Sequence, residues 1–156
     1  MIKASIAGAT GYTAGELIRI LLNHPQVEIE SLISTTSVGQ SVCEVHRDLI
    51  GETDLKFTDR PVNPDVVFLC LGHGLSREFL DTHQLPEHCK IVDLGNDFRL
   101  DPDYNGKNFI YGLTDTFKEE ILQANYIANP GCFATAIQTA VTPLAKAGIL
   151  DSCGTA

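Results

Sequence analysis

Short apolar runs alternate with amphipathic stretches along the whole chain. Runs of strand length, bounded by turn-forming residues, are "IKASIAG" (2–8), "VEIESLIS" (27–34), "DVVFLCLG" (65–72), "KIVDLG" (90–95) and "NYIAN" (125–129). Helical patterns lie between them. This alternation predicts an α/β fold, in which helices cover a doubly wound parallel sheet.

The helical patterns differ in strength. In "AGELIRILLNH" an apolar face repeats at helical spacing from Leu17 to Leu22, and the pattern is the clearest in the chain. The stretch "SVCEVHRDLIG" is weaker and ends at Gly51. In "GLSREFLDTHQLP", Ser76 is a possible N-cap and Pro86 ends the helix.

The second half of the chain adds a loop and a helix. Residues 96–114 are rich in Asp, Asn, Gly and Pro, which predicts a long ordered loop across one face of the sheet. The last helix is expected from about Cys132 to Ala147, bent near Pro143 and ended by Gly148.

Length and charge narrow the possible partners. A chain of 156 residues fits one domain, spanning residues 1–156, that buries roughly 68–70% of its unfolded surface. The net charge of −9 and the scattered basic residues argue against nucleic acid and anionic membranes, so we expect a small-molecule partner. No signal pattern or membrane-length apolar run is present, which predicts a cytoplasmic protein.

The five cysteines form no C-x-x-C pair. Their positions, 43, 70, 89, 132 and 153, indicate neither a disulfide framework nor a metal site, and we expect reduced thiols. Cys70, inside an apolar run, is the clearest example of a core thiol.

A glycine-rich turn, in "SIAGATGYTAGEL", joins the first predicted strand to the first helix. Gly8 and Gly11 there can bring backbone N–H groups against a pyrophosphate, as in Rossmann-like domains. A turn without a ligand is the alternative, but its place at the start of a β/α chain favours dinucleotide binding. The second strand ends at neutral Ser34 and Thr35, which present no negative charge to a 2′-phosphate, so we expect NADP rather than NAD.

Cys132, in "ANPGCFATA", is a candidate catalytic residue. It opens the last predicted helix, where free N–H groups and the helix dipole favour a thiolate and lower a cysteine's pKa. Gly131 leaves space for a substrate carbonyl beside the thiol. A small buried residue is the alternative, but a position after a strand, at the carboxyl edge of the sheet, favours a nucleophile.

A thiol beside a nicotinamide site has a specific use. A thiolate can displace phosphate from an acyl phosphate and form a thioester, which accepts a hydride and collapses to an aldehyde. A serine ester would be a poorer hydride acceptor. The glycine-rich turn and the helix-opening cysteine together suggest an acyl-phosphate reductase.

Four segments resemble, in order and spacing, the N-acetyl-γ-glutamyl-phosphate reductases of arginine biosynthesis, relatives of aspartate-semialdehyde dehydrogenase: "GATGYTAGEL", "IVDLGNDFRL", "FIYGLTD" and "IANPGCFATA". The resemblance implies NADP-dependent reduction of an N-acyl-γ-glutamyl phosphate to the semialdehyde, release of phosphate, and a homo-oligomeric full-length enzyme. Members of this family are longer, and their second domain supplies a catalytic histidine. This chain is therefore expected to be the cofactor-binding half, inactive alone.

The resemblance also assigns roles to residues. It makes Cys132 the nucleophile, Arg99 of "DFRL" a candidate for holding the substrate phosphate, and Asn129 and Gly131 parts of the pocket around the thiol. From the residue alone, Arg99 is more simply a solvated loop charge. His73 is expected on the nicotinamide side of the pocket, or as a cap on the following helix. The expected cofactor-binding residues are Gly8, Thr10, Gly11, Tyr12, Thr13, Ala14, Ser34, Thr35, Gly72 and His73.

Two positions depart from the family pattern. Ala14-Gly15 stands where the family has Gly-Ala, and Gly72 stands where it usually has Pro, which would make that loop more flexible. Two other functions stay open. One is an aspartate-semialdehyde dehydrogenase, although that branch has Asn rather than Gly before its cysteine, and the other is a noncatalytic NADP-binding sensor with an inert Cys132.

Overall fold

The computed structural model describes residues 1–150, so Cys153 and the end of the expected 1–156 domain lie outside the described residues. The strands are Ile2–Ala7 (β1), Val27–Ile33 (β2), Phe57–Thr58 (β3), Val66–Leu69 (β4), Lys90–Asp93 (β5), Asp103–Tyr104 (β6), Lys107–Asn108 (β7), Ile110–Tyr111 (β8) and Tyr126–Ala128 (β9). The helices are Tyr12–Leu22 (α1), Val42–Val45 (α2), Ser76–Thr82 (α3), Thr114–Gln123 (α4) and Cys132–Lys146 (α5), with a 3₁₀ turn at Arg47–Leu49.

Seven of these strands form one parallel sheet in the order β3-β2-β1-β4-β5-β9-β8. From β1 the chain moves outward through β2 and β3, then returns to the other side of β1 and moves outward again through β4 and β5. This reversal defines a doubly wound sheet and confirms the predicted Rossmann-like fold. Strands β6 and β7 form a separate antiparallel pair.

Two apolar layers cover the sheet, one on each face. On one face Ile6 and Leu32 pack with Ile18 of α1, whose buried side is the one that the helical pattern predicted. On the other face Leu69 packs with Phe79 of α3. Residues 4–7 of β1 are all buried, because this strand lies at the centre of the sheet and is covered on both sides.

The structure differs from the sequence-based predictions at several places. Strand β3 was not predicted, and α3 ends at Thr82 rather than at Pro86, because the backbone of His83 is already extended. Ser76 does not cap α3: Leu75 is the N-cap residue, and the Ser76 hydroxyl donates to buried Asp93 instead. The predicted loop 96–114 contains the short strands β6, β7 and β8, and β8 extends the sheet by pairing with β9. The weak helix ending at Gly51 is α2 followed by the 3₁₀ turn.

Helix α5 begins at Cys132, as predicted, and Gly148 follows its end with a φ of +68°. No α5 residue is buried by the rest of residues 1–150, and Phe133, Ile137 and Leu144 form an exposed apolar stripe. Among the described residues, no helix is long and apolar enough to cross a membrane.

Gly8→Ala should destabilise the domain more than Gly39→Ala. Both glycines have positive φ, +74° and +81°, so each substitution carries the cost of a left-handed backbone, about 1–2 kcal/mol. At Gly8 a Cβ would also lie 2.4 Å from the Cys70 carbonyl oxygen, whereas nothing lies within 4 Å at Gly39. We expect urea denaturation to give losses of about 3 kcal/mol and about 1 kcal/mol respectively. Equal losses would mean that the contact with Cys70 does not select glycine at position 8.

Candidate active site

The segments that carry the candidate residues leave the sheet at one edge. The last residues of five strands, Ile33, Ala7, Leu69, Asp93 and Ala128, are paired in one row across the sheet. Because the strands are parallel, the residues that follow them emerge side by side. Between β1 and β4 the winding of the chain reverses, and open α/β sheets bind ligands at such a point.

The glycine turn, residues 8–11, connects β1 to α1 tightly. Gly8 has a φ of +74°, its carbonyl accepts a hydrogen bond from the Gly11 N–H at 3.0 Å, and Gly11 is the N-cap of α1. The N–H groups of the first three helical residues have no acceptor among residues 1–150: Tyr12, Thr13 and Ala14. Free N–H groups at a helix N-terminus form a binding site for an anion such as a phosphate.

The end of β2 lies beside the glycine turn, since the Ala9 N–H donates to the Ile33 carbonyl at 3.0 Å. Ser34 is buried and its hydroxyl accepts from the Thr36 N–H at 3.3 Å, while Thr35 is exposed. Residues 34–37 carry no charged side chain. This position therefore offers hydroxyl and backbone donors to an anionic group without a competing carboxylate.

The turn after β4 contains Gly72 and His73, both exposed. Leu75 is the N-cap of α3 and no side chain caps that helix, so the suggestion that His73 serves as the cap is wrong. Gly74 has a φ of +82°, and its N–H donates to a carboxylate oxygen of Asp97 at 3.0 Å. His73 thus lies on an exposed turn at the same edge as the glycine turn.

Cys132 is exposed at the first position of α5. Gly131 is the N-cap, and its carbonyl accepts from the Thr135 N–H at 2.9 Å and from the Thr135 hydroxyl at 3.0 Å. No acceptor among residues 1–150 pairs with the N–H groups of Cys132, Phe133 and Ala134. The thiol therefore lies at a second helix N-terminus with free donors.

Arg99 supports the turn that precedes this thiol. Its Nε donates to the Asn129 carbonyl at 2.8 Å, and its Nη2 donates to the Leu94 carbonyl at 3.1 Å. The side chain is half-buried, so the alternative of a solvated loop charge is wrong. Nη1 has no hydrogen-bond partner among residues 1–150, and it lies 3.1 Å from the position that a Cβ at Gly131 would occupy. One guanidinium nitrogen thus remains free beside the Gly131–Cys132 turn.

Asp93, which sequence reasoning did not single out, is fully buried at the end of β5. Its Oδ1 accepts from the Ser76 hydroxyl at 2.6 Å and from the Gly95 N–H at 3.1 Å, and its backbone carbonyl accepts from the Asn129 N–H. Oδ2 has no partner among the described residues. Burial raises the pKa of this carboxyl above its ordinary value, against the opposing effect of the two hydrogen bonds. Asp93 joins α3, β5, the 94–99 segment and the end of β9.

A second residue missed by sequence reasoning is His46, which contacts Ala9 and Gly15 behind the glycine turn. The close contact between α1 and the His46 ring is made at Gly15, which has no side chain, and not at Ala14. The sequence offered no signal for this contact, because 37 residues separate His46 from Ala9.

A surface cavity of about 590 Å³ lies elsewhere. Residues from the amino-terminal ends of β5 and β9, including Ile91 and Tyr126, line it. It contains none of the candidate residues. Among residues 1–150, no group of three or more His, Cys, Asp or Glu side chains is placed to hold a metal ion.

Known proteins are similar to this chain over most of its length. The family model described as "Semialdehyde dehydrogenase, NAD binding domain" matches residues 3–124. A Flavobacterium johnsoniae protein named N-acetyl-gamma-glutamyl-phosphate reductase is 54% identical over 97% of this chain and 48% of its own length. A Phocaeicola vulgatus protein with the same name is 48% identical over 97% of this chain and 47% of its own length. The chain spans about half the length of the curated relatives it matches.

Solved structures show the same fold at lower sequence identity. Aspartate semialdehyde dehydrogenase with NADP from Candida albicans has a TM-score of 0.68 at 19% identity, covering 96% of this chain and 48% of that chain. Aspartate semialdehyde dehydrogenase II from Vibrio cholerae, complexed with ASA, has a TM-score of 0.60 at 18% identity, covering 94% and 48%.

Cys132 should react with iodoacetamide well before Cys70 or Cys89 at neutral pH. Cys132 is exposed, whereas burial raises the pKa of the Cys70 thiol to about 12 and that of the Cys89 thiol to about 11. We expect labelling at least about tenfold faster at Cys132, because the thiolate fraction falls about tenfold per pKa unit. Peptide mapping over a time course measures the rates, and denatured protein, in which all thiols are accessible, is the control. Equal rates at Cys132 and Cys70 in the folded protein would contradict the prediction.

Proposed function

Because this chain belongs to the semialdehyde dehydrogenases through their NAD-binding domain, we propose that it carries the NADP site and the nucleophilic cysteine of an N-acyl-γ-glutamyl-phosphate reductase of arginine biosynthesis. One observation carries the proposal. Two helices with free N-terminal N–H groups, one after the glycine turn and one opened by an exposed cysteine, begin at the same edge of one sheet. The names of the relatives support the acyl-glutamyl substrate.

The glycine turn fits a dinucleotide pyrophosphate. Gly8 and Gly11 present no side chain, and the following N–H groups are free to donate to phosphate oxygens. In this proposal residues 8–14 hold the pyrophosphate, Ser34 and Thr35 face the 2′-phosphate, and Gly72 and His73 face the nicotinamide. When bound, NADPH supplies the hydride that reduces the acyl group.

Cys132 performs the covalent step. Its thiolate attacks the acyl-phosphate carbonyl carbon, the carbon–sulfur bond forms, and the bond from carbon to the phosphate oxygen breaks, so that phosphate leaves with the electron pair. The free N–H groups of the first turn of α5 can donate to the carbonyl oxygen as negative charge develops on it. Reduction of the thioester then releases the semialdehyde and returns the thiol.

Arg99 contributes to the same step in two ways. Its Nε and Nη2 fix the backbone at Asn129 and Leu94, while Nη1 is left to donate to the substrate phosphate beside the thiol. A guanidinium already held by two carbonyl groups loses little side-chain freedom when it binds a phosphate. Asn129 and Gly131 form the adjacent wall of the pocket.

The two competing functions are less well supported. The aspartate-semialdehyde branch is disfavoured because Gly131, not Asn, precedes the cysteine, and a Cβ there would approach Arg99 Nη1 to 3.1 Å. A noncatalytic sensor is disfavoured because its Cys132 would be an inert core residue, whereas this thiol is exposed. Residues 1–156 act in this proposal as one domain of a cytoplasmic homo-oligomer without nucleic-acid or membrane partners, consistent with the net charge of −9.

The chain should bind NADP more tightly than NAD, by about tenfold or more, because hydrogen bonds to a charged phosphate each contribute about 1.5–3 kcal/mol. Thr35→Asp is the matched test: a carboxylate beside the 2′-phosphate should weaken NADP binding and leave NAD binding nearly unchanged. Gly11→Val should abolish binding of both by filling the space that the pyrophosphate needs. Calorimetric titration measures the Kd values. Equal or tighter binding of NAD by the unmodified chain would contradict the cofactor assignment.

In a protein of the relatives' full length that carries this sequence, Cys132→Ser should remove phosphate-dependent turnover and change the NADP Kd less than about twofold. The sulfur acts on the acyl group and makes no contact that the cofactor requires. Oxidation of the semialdehyde in the presence of NADP and phosphate measures the turnover, and Cys89→Ser, which alters a buried thiol at the amino-terminal end of β5, is the control. A serine variant that keeps its activity would exclude Cys132 as the nucleophile.

A further inference from the structure

The imidazole of His46 contacts both the glycine turn, at Ala9, and helix α1, at Gly15. We propose that His46 is a positioning residue for the cofactor, because its ring holds the glycine turn in the conformation that receives the pyrophosphate. The inference rests on the proposed NADP site and adds a residue that no sequence motif indicated.

The first observation is a hydrogen bond into the turn itself. His46 Nε2 lies 2.8 Å from the Ala9 carbonyl oxygen. A carbonyl oxygen only accepts, so Nε2 must carry the proton and donate it. Ala9 is fully buried, and its N–H donates to the Ile33 carbonyl on the other side. Both backbone polar groups of Ala9, the N–H and the carbonyl, are therefore hydrogen-bonded.

The second observation is the close fit of the ring against α1. A Cβ at Gly15 would lie 2.7 Å from His46 Nδ1 and 2.9 Å from its Cε1. Only a residue without a side chain allows the ring to approach this near. Gly15 thus leaves the space in which the ring reaches Ala9, and the ring contacts both the turn and the first turns of α1.

His46 is itself held firmly enough to do this. Its backbone N–H donates to the Val42 carbonyl at 2.9 Å, and its carbonyl accepts from the Leu49 N–H at 3.1 Å. Val42 and Leu49 are both buried in the core that also contains α1. The ring is half-buried, 6.5 Å from the Phe57 ring centroid. The position of the imidazole is therefore set by packing rather than by solvent.

No other side chain among residues 1–150 hydrogen-bonds the backbone of residues 8–11. Gly8 stands in a left-handed conformation, one of several that glycine adopts readily, so the contacts around the turn select it. Loss of the His46 bond leaves a buried carbonyl unpaired and frees the turn to relax. Binding of the pyrophosphate must then order the turn again, which weakens affinity.

His46→Gln and His46→Met form a matched pair for the test. Gln can place an amide N–H near the position of Nε2, whereas Met has similar length and no donor. With NADP as the probe and the 156-residue chain as the protein, we expect Met to weaken binding about three- to tenfold and Gln less than about twofold. Adenosine 2′-phosphate, which lacks the pyrophosphate, should bind both variants like the unmodified chain. His83→Met is the control. His83 is a half-buried histidine at the end of α3 whose ring hydrogen-bonds the Phe79 carbonyl, and its replacement should leave the NADP Kd unchanged.

Each contrary outcome has a distinct meaning. If His46→Met binds NADP as tightly as the unmodified chain, or if Gln and Met weaken it equally, the positioning role is wrong. If adenosine 2′-phosphate weakens as much as NADP, His46 acts on the whole fold and not on the turn. If the unmodified chain does not bind NADP, the proposed function fails, and the positioning role fails with it.

Gly15→Ala tests the contact without any ligand. In the unmodified chain the new Cβ displaces the ring, so both the Tm and the NADP affinity should fall. In a His46→Ala background the ring is gone, and because alanine is the better helix former, Gly15→Ala should leave the Tm unchanged or raise it. A loss of the same size in both backgrounds would show that Gly15 does not make room for His46, and would overturn the proposal.

Discussion

The register of the parallel sheet is the constraint on which the candidate active site depends. One row of paired residues, Ile33, Ala7, Leu69, Asp93 and Ala128, ends five neighbouring strands together. A shift of one residue turns the following side chains of a strand to the opposite face, and β2 contains one such irregularity opposite Ala4 and Ser5, after which Ser31, Leu32 and Ile33 pair in order with the last three residues of β1. The same register brings residue 8, the next after this row in β1, against the carbonyl of residue 70, and only glycine fits that approach.

This edge resolves an apparent conflict between the charge of the chain and its ligands. A chain with a net charge of −9 is not an obvious receptor for NADP and an acyl phosphate, which are both anionic. The donors at the edge are backbone N–H groups at the starts of α1 and α5, so the positive potential is local and does not depend on the net charge. Arg99 adds one fixed charge between the end of β5 and the turn before Cys132. The acidic residues elsewhere on the surface are screened over about 8–10 Å at ordinary ionic strength.

The parts of the structure that the sequence predicted are those that depend on local pattern. Alternating apolar runs predicted five of the seven strands of the sheet, the apolar face of α1 predicted its buried side, and Cys132 was correctly expected at the start of the last helix. Contacts between distant segments could not be predicted this way. Ser76 has the residue type of an N-cap, but its hydroxyl has a stronger partner in a carboxylate 17 residues away. The His46 contact to Ala9 spans 37 residues and has no sequence pattern of its own.

At Gly131 the sequence predicted the need for a glycine but only part of the reason for it. The sequence suggested that glycine there admits a substrate carbonyl to the thiol. The structure adds that Arg99 Nη1 lies 3.1 Å from the missing Cβ. The guanidinium cannot move away freely, because Nε and Nη2 are held by the carbonyls of Asn129 and Leu94. A larger residue at 131 must therefore displace Arg99 or distort the turn before Cys132. The residue before the cysteine and the position of the arginine in this chain therefore depend on each other.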